Sequence, residues 1–126
     1  MENCIFCKII NGEIPSYRIY EDDYTIGILD IMPSKPGQSL VIPKLHEPSS
    51  FTKADLNELH NSLDGAYNTA KLIEEKLRAS RTFLVVQGLG VDHLHFKLYP
   101  SFKGDDESID TSGKPSTKES LEKVYK

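Results

Sequence analysis

The ten residues Val91-Asp92-His93-Leu94-His95-Phe96-Lys97-Leu98-Tyr99-Pro100 constrain this chain more than any other stretch. Side chains alternate between the faces of an extended segment, so a strand here sends Leu94, Phe96 and Leu98 to one side and His93, His95 and Lys97 to the other. The first set needs a core. The second needs partners or solvent, because an imidazole or ammonium removed from water is costly when left unpaired. A packed layer on one face and a polar site on the other satisfy both. Two imidazoles and an ammonium in a row suit an anion such as phosphate.

The chain has 126 residues, 38% of them hydrophobic, enough for one core and too few for two ordinary domains. Residues 1–100 read as the core domain, and 101–126 as a polar extension carrying a short helix. The formal net charge of -4 gives nucleic acid or an anionic membrane nothing global to bind, so any phosphate site must be local. No apolar run approaches the roughly 20 residues of a membrane span. Met1-Glu2-Asn3-Cys4 lacks the charged and apolar regions of a signal peptide, and a cytoplasmic location is expected. In that setting Cys4-Ile5-Phe6-Cys7 reads as a metal or redox pair rather than a structural disulfide.

Periodicity orders the remaining elements. Ile5, Phe6, Ile9 and Ile10 have helical spacing, and Asn11-Gly12 supplies a stop. Arg18–Glu21 and Tyr24–Ile31 form a hairpin about Asp22-Asp23, and Ser39–Pro43 is a third strand after the turn-rich Met32–Gly37. Thr52 with Asp55 offers a capping start for a long helix ending near Ala79, with Leu56, Leu59, Leu63, Tyr67, Ala70, Ile73 and Leu77 on one face. Thr82–Gln87 reads as a buried strand pairing antiparallel with the histidine strand. The segments around Gly104–Glu107 and Ser112–Pro115 read as linker, and Ser116 with Glu119 as a capping box for a helix to about Tyr125. The class is α+β, an antiparallel sheet of about five strands with one long helix.

Cys4 and Cys7 offer half of a tetrahedral zinc site, and His46, leaving one strand, with His93, entering another, is a stereochemically reasonable second half. Such a site is closed and structural. The plain alternative is two reduced thiols packed as small hydrophobes. His60, mid-helix and off the apolar stripe, reads as a surface residue. His95 alone would read as a core histidine bonded to a carbonyl; beside Lys97 it reads as a nucleophile with fixed positive charge next to it. For Lys97 the alternative is a charged edge-strand residue that blocks aggregation.

The run His93-Leu94-His95-Phe96-Lys97-Leu98-Tyr99 resembles the histidine triad (HIT) motif, with lysine at the third histidine position. The resemblance spans about the first hundred residues. It includes the block from Cys4 to Ser16, Tyr20-Glu21-Asp22-Asp23, Leu29-Asp30-Ile31-Met32-Pro33, and Leu40-Val41-Ile42-Pro43-Lys44 with His46. It implies a HIT-like fold and a catalytic His95 that attacks the α-phosphorus of a nucleotide, with Lys97 at the phosphate. It implies Zn2+ on Cys4, Cys7, His46 and His93. Asp30 matches the ribose-binding acid, and Phe6, Ile9, Ile28 and Ile31 match the apolar slot for the base. Gln87 stands at a phosphate-contacting asparagine, and the shortened Gly88-Leu89-Gly90 leaves backbone N–H groups of Gly88 and Gly90 to face the phosphate. Family members are commonly homodimers.

Three functions are open on this reading. The first is a hydrolase of purine nucleoside phosphoramidates or dinucleoside polyphosphates acting through a nucleotidyl-histidine. The second is a nucleotide-binding protein in which Lys97 and the short loop weaken catalysis. The third is a zinc-stabilised interaction module.

Overall fold

Ile26 and Ile28 alternate with Thr25, Gly27 and Leu29 along one strand, as Leu40 and Ile42 alternate with Val41 along its neighbour, and this alternation fixes which helix packs where. The computed structural model describes residues 3–105, 113 and 115–125. The elements in order are α1 (Ile5–Ile10), β1 (Arg18–Glu21), β2 (Thr25–Leu29), β3 (Ser39–Pro43), a 3-10 turn (Phe51–Lys53), α2 (Leu56–Leu77), β4 (Arg81–Val85), β5 (Phe96–Ser101) and α3 (Lys118–Tyr125). The strands form one antiparallel sheet in the order β1-β2-β3-β5-β4. Ile26, Ile28, Leu40 and Ile42 pack with Phe6 and Ile9 of α1. Val41, Phe96 and Leu98 pack with Ala66 and Ile73 of α2, as does Leu94 just ahead of β5. The expected α+β arrangement, with a long helix and a short one at each end, is the one observed.

Helix α1 is tied at its C-terminal end. Asn11 caps it, Gly12 follows at φ +82°, and the Arg18 guanidinium donates to the carbonyls of Ile9 and Ile10 at 2.9 and 3.0 Å. These are carbonyls with no partner inside the helix, so one side chain of β1 anchors α1 across the sheet edge. In the β1–β2 turn, Asp22 Oδ1 accepts from the N–H groups of Tyr24 and Thr25 and the Thr25 hydroxyl, and Oδ2 from the Tyr20 hydroxyl.

Five sequence expectations change. The histidine segment joins the sheet only from Phe96, because Leu94 N–H donates to the Glu47 carbonyl instead of continuing the ladder. Strand β4 is a half-exposed edge over Arg81–Val85, not a buried strand to Gln87. Helix α2 starts after Asp55, whose carboxylate accepts from Glu58 N–H, while the residues after Ser50 make a separate 3-10 turn. It ends at Leu77, with Arg78 in the left-handed region at φ 58°. On α3, Thr117 rather than Ser116 caps, its hydroxyl accepting from Ser120 N–H at 3.1 Å. Of the expected linker segments, residues 106, 107, 112 and 114 lie outside the described residues.

The fifth change concerns the face of α2. Its buried residues are Ser62, Gly65, Ala66, Thr69 and Ile73, whereas Leu56, Leu63 and Tyr67 are 62%, 48% and 62% exposed. Small side chains let the helix lie close on β2: a Cβ at Gly65 would land on the Thr25 hydroxyl. Alanine there gains helix propensity of up to about 1 kcal/mol and loses about 1–3 kcal/mol to overpacking. Gly65→Ala is therefore expected to lower the urea midpoint without changing the slope of the transition; an unchanged or raised midpoint would refute the close packing.

Candidate functional site

Two loops bring the polar residues together. One leaves β3 through Lys44 to Ser50, and the other runs from Val86 to His95 into β5. Besides the Leu94–Glu47 bond at 2.8 Å, Ser49 N–H donates to Asp92 Oδ1 at 3.0 Å and the Ser49 hydroxyl to the Gly88 carbonyl at 2.8 Å. The Ser49 N–H holds the Asp92 carboxyl below the usual carboxylate range. Gly88 has φ +68°, and a Cβ there would come within 2.6 Å of Ser49 Cβ, so the crossing admits only glycine. These ties set the rings of His46 and His93 edge to face, 4.8 Å between centroids.

Cys4 and Cys7 bracket the first turn of α1 and meet the two histidines. Cys4 Sγ lies 3.2 Å from His93 Nδ1, and Cys7 Sγ lies 3.4 Å from His46 Nδ1 and 3.5 Å from His93 Nδ1. The four donor atoms are all within 4.8 Å of one another. A tetrahedron with Zn–S of about 2.3 Å and Zn–N of about 2.0 Å has edges of roughly 3.3–3.8 Å, so the donors are close to the spacing such an ion needs. The tautomer also fits. His93 Nε2 is 2.9 Å from the Pro43 carbonyl, which can only accept, so Nε2 carries the proton and Nδ1 presents its lone pair to the thiols. Burial holds the His93 imidazolium unfavourable and pushes the Cys7 thiol up, with Cys4 adding to the latter. A cation reverses the thiol effect by exchanging for its proton.

His95 has the opposite tautomer. Its Nδ1 lies 2.7 Å from the His93 carbonyl and must carry the proton, which leaves the Nε2 lone pair available. The ring is 5% exposed, with Phe6 edge-on at 5.0 Å. Burial and then Lys97 push its pKa below the ordinary imidazole value, while the His93 carbonyl and Asp30 pull the other way; the net direction is down. His95 is thus neutral near pH 7, with an ammonium and a carboxylate in electrostatic reach. Lys97 is paired across the ladder with Leu40, and Leu40 with Ile28, so the three form a row on the α1 face.

Of the expected base-slot residues, Phe6, Ile9 and Ile28 share one buried cluster, whereas Ile31 is 58% exposed and outside it. Gln87 and Gly90 are exposed in the loop before His93. Asp30 accepts from Met32 N–H and from the Gln38 amide, both at 2.8 Å. A cavity of about 310 Å3 lies between the 30–38 loop and the C-terminal segment, and one of about 830 Å3 between α2 and α3; His95 and Lys97 line neither. The ties made by Glu47, Ser49, Asp92 and Gln38 have no counterpart in the sequence reading. Those of Glu47, Ser49 and Asp92 join residues far apart in the chain, and those of Gln38 depend on how the 30–38 loop folds back, so no sequence pattern signals them.

Residues 11–104 match the HIT domain. The chain is 36% identical over 130 residues to an adenosine 5′-monophosphoramidase of Saccharomyces cerevisiae, covering 98% of this chain and 77% of that protein. It is 40% identical over 111 residues to an uncharacterized HIT-like protein of Methanocaldococcus jannaschii, covering 84% of each. Among solved structures, it superposes on a Zn-bound histidine triad family protein from Mycobacterium smegmatis with a TM-score of 0.81 at 30% identity, covering 98% of this chain and 91% of that one. The fold is HIT-like, and the chain belongs to the HIT domain family.

The donor cluster leads to a direct measurement. Titrated with Co2+, a spectroscopic stand-in for a tetrahedral cation, the reduced protein is expected to develop thiolate charge-transfer absorbance at one equivalent. Cys7→Ser is expected to weaken binding by about tenfold or more. No absorbance in the wild-type protein would exclude a tetrahedral thiolate site.

Proposed function

We propose that this protein is a nucleotide hydrolase that forms a covalent nucleotidyl intermediate on His95. The observation that carries the reading is the contact of His95 Nδ1 with the His93 carbonyl, with burial pushing the imidazole pKa down; together they suit Nε2 to the part of nucleophile. The substrates are purine nucleoside phosphoramidates or dinucleoside polyphosphates, a choice supported by the monophosphoramidase relative. Nε2 attacks the α-phosphorus as the bond to the leaving nitrogen or phosphate oxygen breaks, and a departing amine takes its proton from solvent. Water then cleaves the P–N bond of the nucleotidyl-imidazole. The nucleoside monophosphate leaves, and His95 is restored with its proton still on Nδ1.

Lys97 holds charge against the non-bridging phosphate oxygens, where its ammonium stabilises the transition state more than the ground state. It offers three N–H donors and no acceptor, where an imidazole offers one of each. Asp30 accepts from the ribose hydroxyls; Phe6, Ile9, Ile28 and Ile31 contact the base; Gln87 and the N–H groups of Gly88 and Gly90 face the phosphate. Cys4, Cys7, His46 and His93 hold Zn2+, which in a closed four-ligand site fixes α1 to the sheet and takes no part in the reaction. Exposed Leu56, Leu63 and Tyr67 on α2 support a homodimer through that helix.

A second reading, nucleotide binding with little turnover, is favoured by Lys97 at the third motif position. A fluorogenic adenosine phosphoramidate separates the two. Turnover with a burst is expected of the wild type, with His95→Ala losing roughly a thousandfold or more. Full activity in His95→Ala would end the covalent mechanism, and tight binding without wild-type turnover would favour the second reading. Lys97→His is expected to raise turnover; a fall would mean that lysine is suited to the native leaving group. Sedimentation velocity tests the dimer: Tyr67→Glu is expected to shift a dimer to monomer, and a monomeric wild type would refute the assembly.

A further inference from the structure

The loop that carries Asp30 contains a buried amide that nothing above employs. Gln38 is 2% exposed and lies just before β3. Its Oε1 accepts from the backbone N–H and the hydroxyl of Ser34, at 2.8 and 3.0 Å. A backbone N–H only donates, so the amide oxygen must face Ser34 and the nitrogen must face Asp30. Nε2 then donates to Asp30 Oδ2, while Met32 N–H donates to Oδ1, both at 2.8 Å. The main chain doubles the link, Asp30 N–H donating to the Gln38 carbonyl at 3.0 Å.

A carboxylate has about four lone-pair positions, and here one on each oxygen is taken by the protein. One on each oxygen remains, in an orientation the carboxylate cannot leave without breaking a charge-assisted hydrogen bond. Two acceptors at fixed spacing match a vicinal diol. We infer that Gln38 is a positioning residue for sugar recognition: it locks the Asp30 carboxylate so that its two unused acceptor positions meet the 2′- and 3′-hydroxyls of a ribose together. It thereby sets the preference for ribo- over deoxyribonucleotides. The inference rests on the nucleotide reading above. Ser116 N–H, which donates to the Ile31 carbonyl at 2.8 Å, ties the same loop to the C-terminal segment.

Calorimetric titration of AMP and 2′-deoxy-AMP into the wild type, Gln38→Met and Ser34→Ala tests it, independently of turnover. The wild type is expected to bind AMP about tenfold tighter than 2′-deoxy-AMP, the value of one hydrogen bond to a charged group. Gln38→Met keeps the side-chain length and removes the donor; it is expected to lose about tenfold for AMP and under about twofold for 2′-deoxy-AMP, so the ratio collapses. A purely structural role would weaken both ligands equally and preserve the ratio, which would overturn the inference. Should Gln38→Met fail to fold by circular dichroism, Ser34→Ala at the half-buried loop position decides. A loss of about threefold confined to AMP supports the inference, and equal losses or none overturn it. A wild type that binds both nucleotides alike would sink this inference and leave nucleotide binding standing; a wild type that binds neither would sink the underlying reading.

Discussion

Two main-chain carbonyls decide what the two motif imidazoles can do. The Pro43 carbonyl takes the Nε2 proton of His93, and the His93 carbonyl takes the Nδ1 proton of His95. A carbonyl accepts and cannot donate, so each bond fixes one tautomer and frees the other nitrogen. Two histidines two residues apart thus face different tasks, one lone pair directed at the thiols of α1 and the other left for an electrophile. The arrangement depends on the end of β3 lying against the entry to β5, which the Glu47–Leu94 and Ser49–Asp92 bonds enforce. The sheet is therefore part of the chemistry.

Much of this was legible in the chain. Ser39–Pro43, read as a strand after the turn-rich Met32–Gly37, is a strand with those bounds, and the Cys4, Cys7, His46 and His93 set, separated by up to 89 residues, does converge. What alternation could not reveal is where a strand stops being a strand. His93 and His95 obey the period-two pattern, yet Leu94 between them donates its N–H to the Glu47 carbonyl in a loop, and the ladder begins only at Phe96. Gln38 was invisible for a related reason. A polar residue before an apolar strand looks like surface, and only the folded loop shows that Asp30 and Ser34 satisfy its amide.

The misread face of α2 is instructive in another way. Of the apolar stripe read from helical spacing, Leu59, Ala70, Ile73 and Leu77 do pack against the core, but Leu56, Leu63 and Tyr67 do not, and Ser62, Gly65, Ala66 and Thr69 complete the inner face. Distance of approach, not hydrophobicity, selected those residues. The Ser62 and Thr69 hydroxyls donate to the carbonyls of Glu58 and Gly65 within the helix, which removes the cost of burying them. With small residues against β2, Leu56, Leu63 and Tyr67 are left facing outward.

Helix α1 has only six residues and no length to be stable alone, yet it carries both thiols and the Phe6 ring that lies against His95. Its far end is gripped by Arg18, its near end by the sulfur–imidazole cluster. Mechanically it is a short beam on two supports. With Arg18 holding one end, any freedom gained by breaking the sulfur–imidazole contacts is largest at the end that carries Cys4. Because Phe6 sits on the same turn as the two thiols, whatever the sulfurs bind is coupled through one short helix to the ring packed on His95.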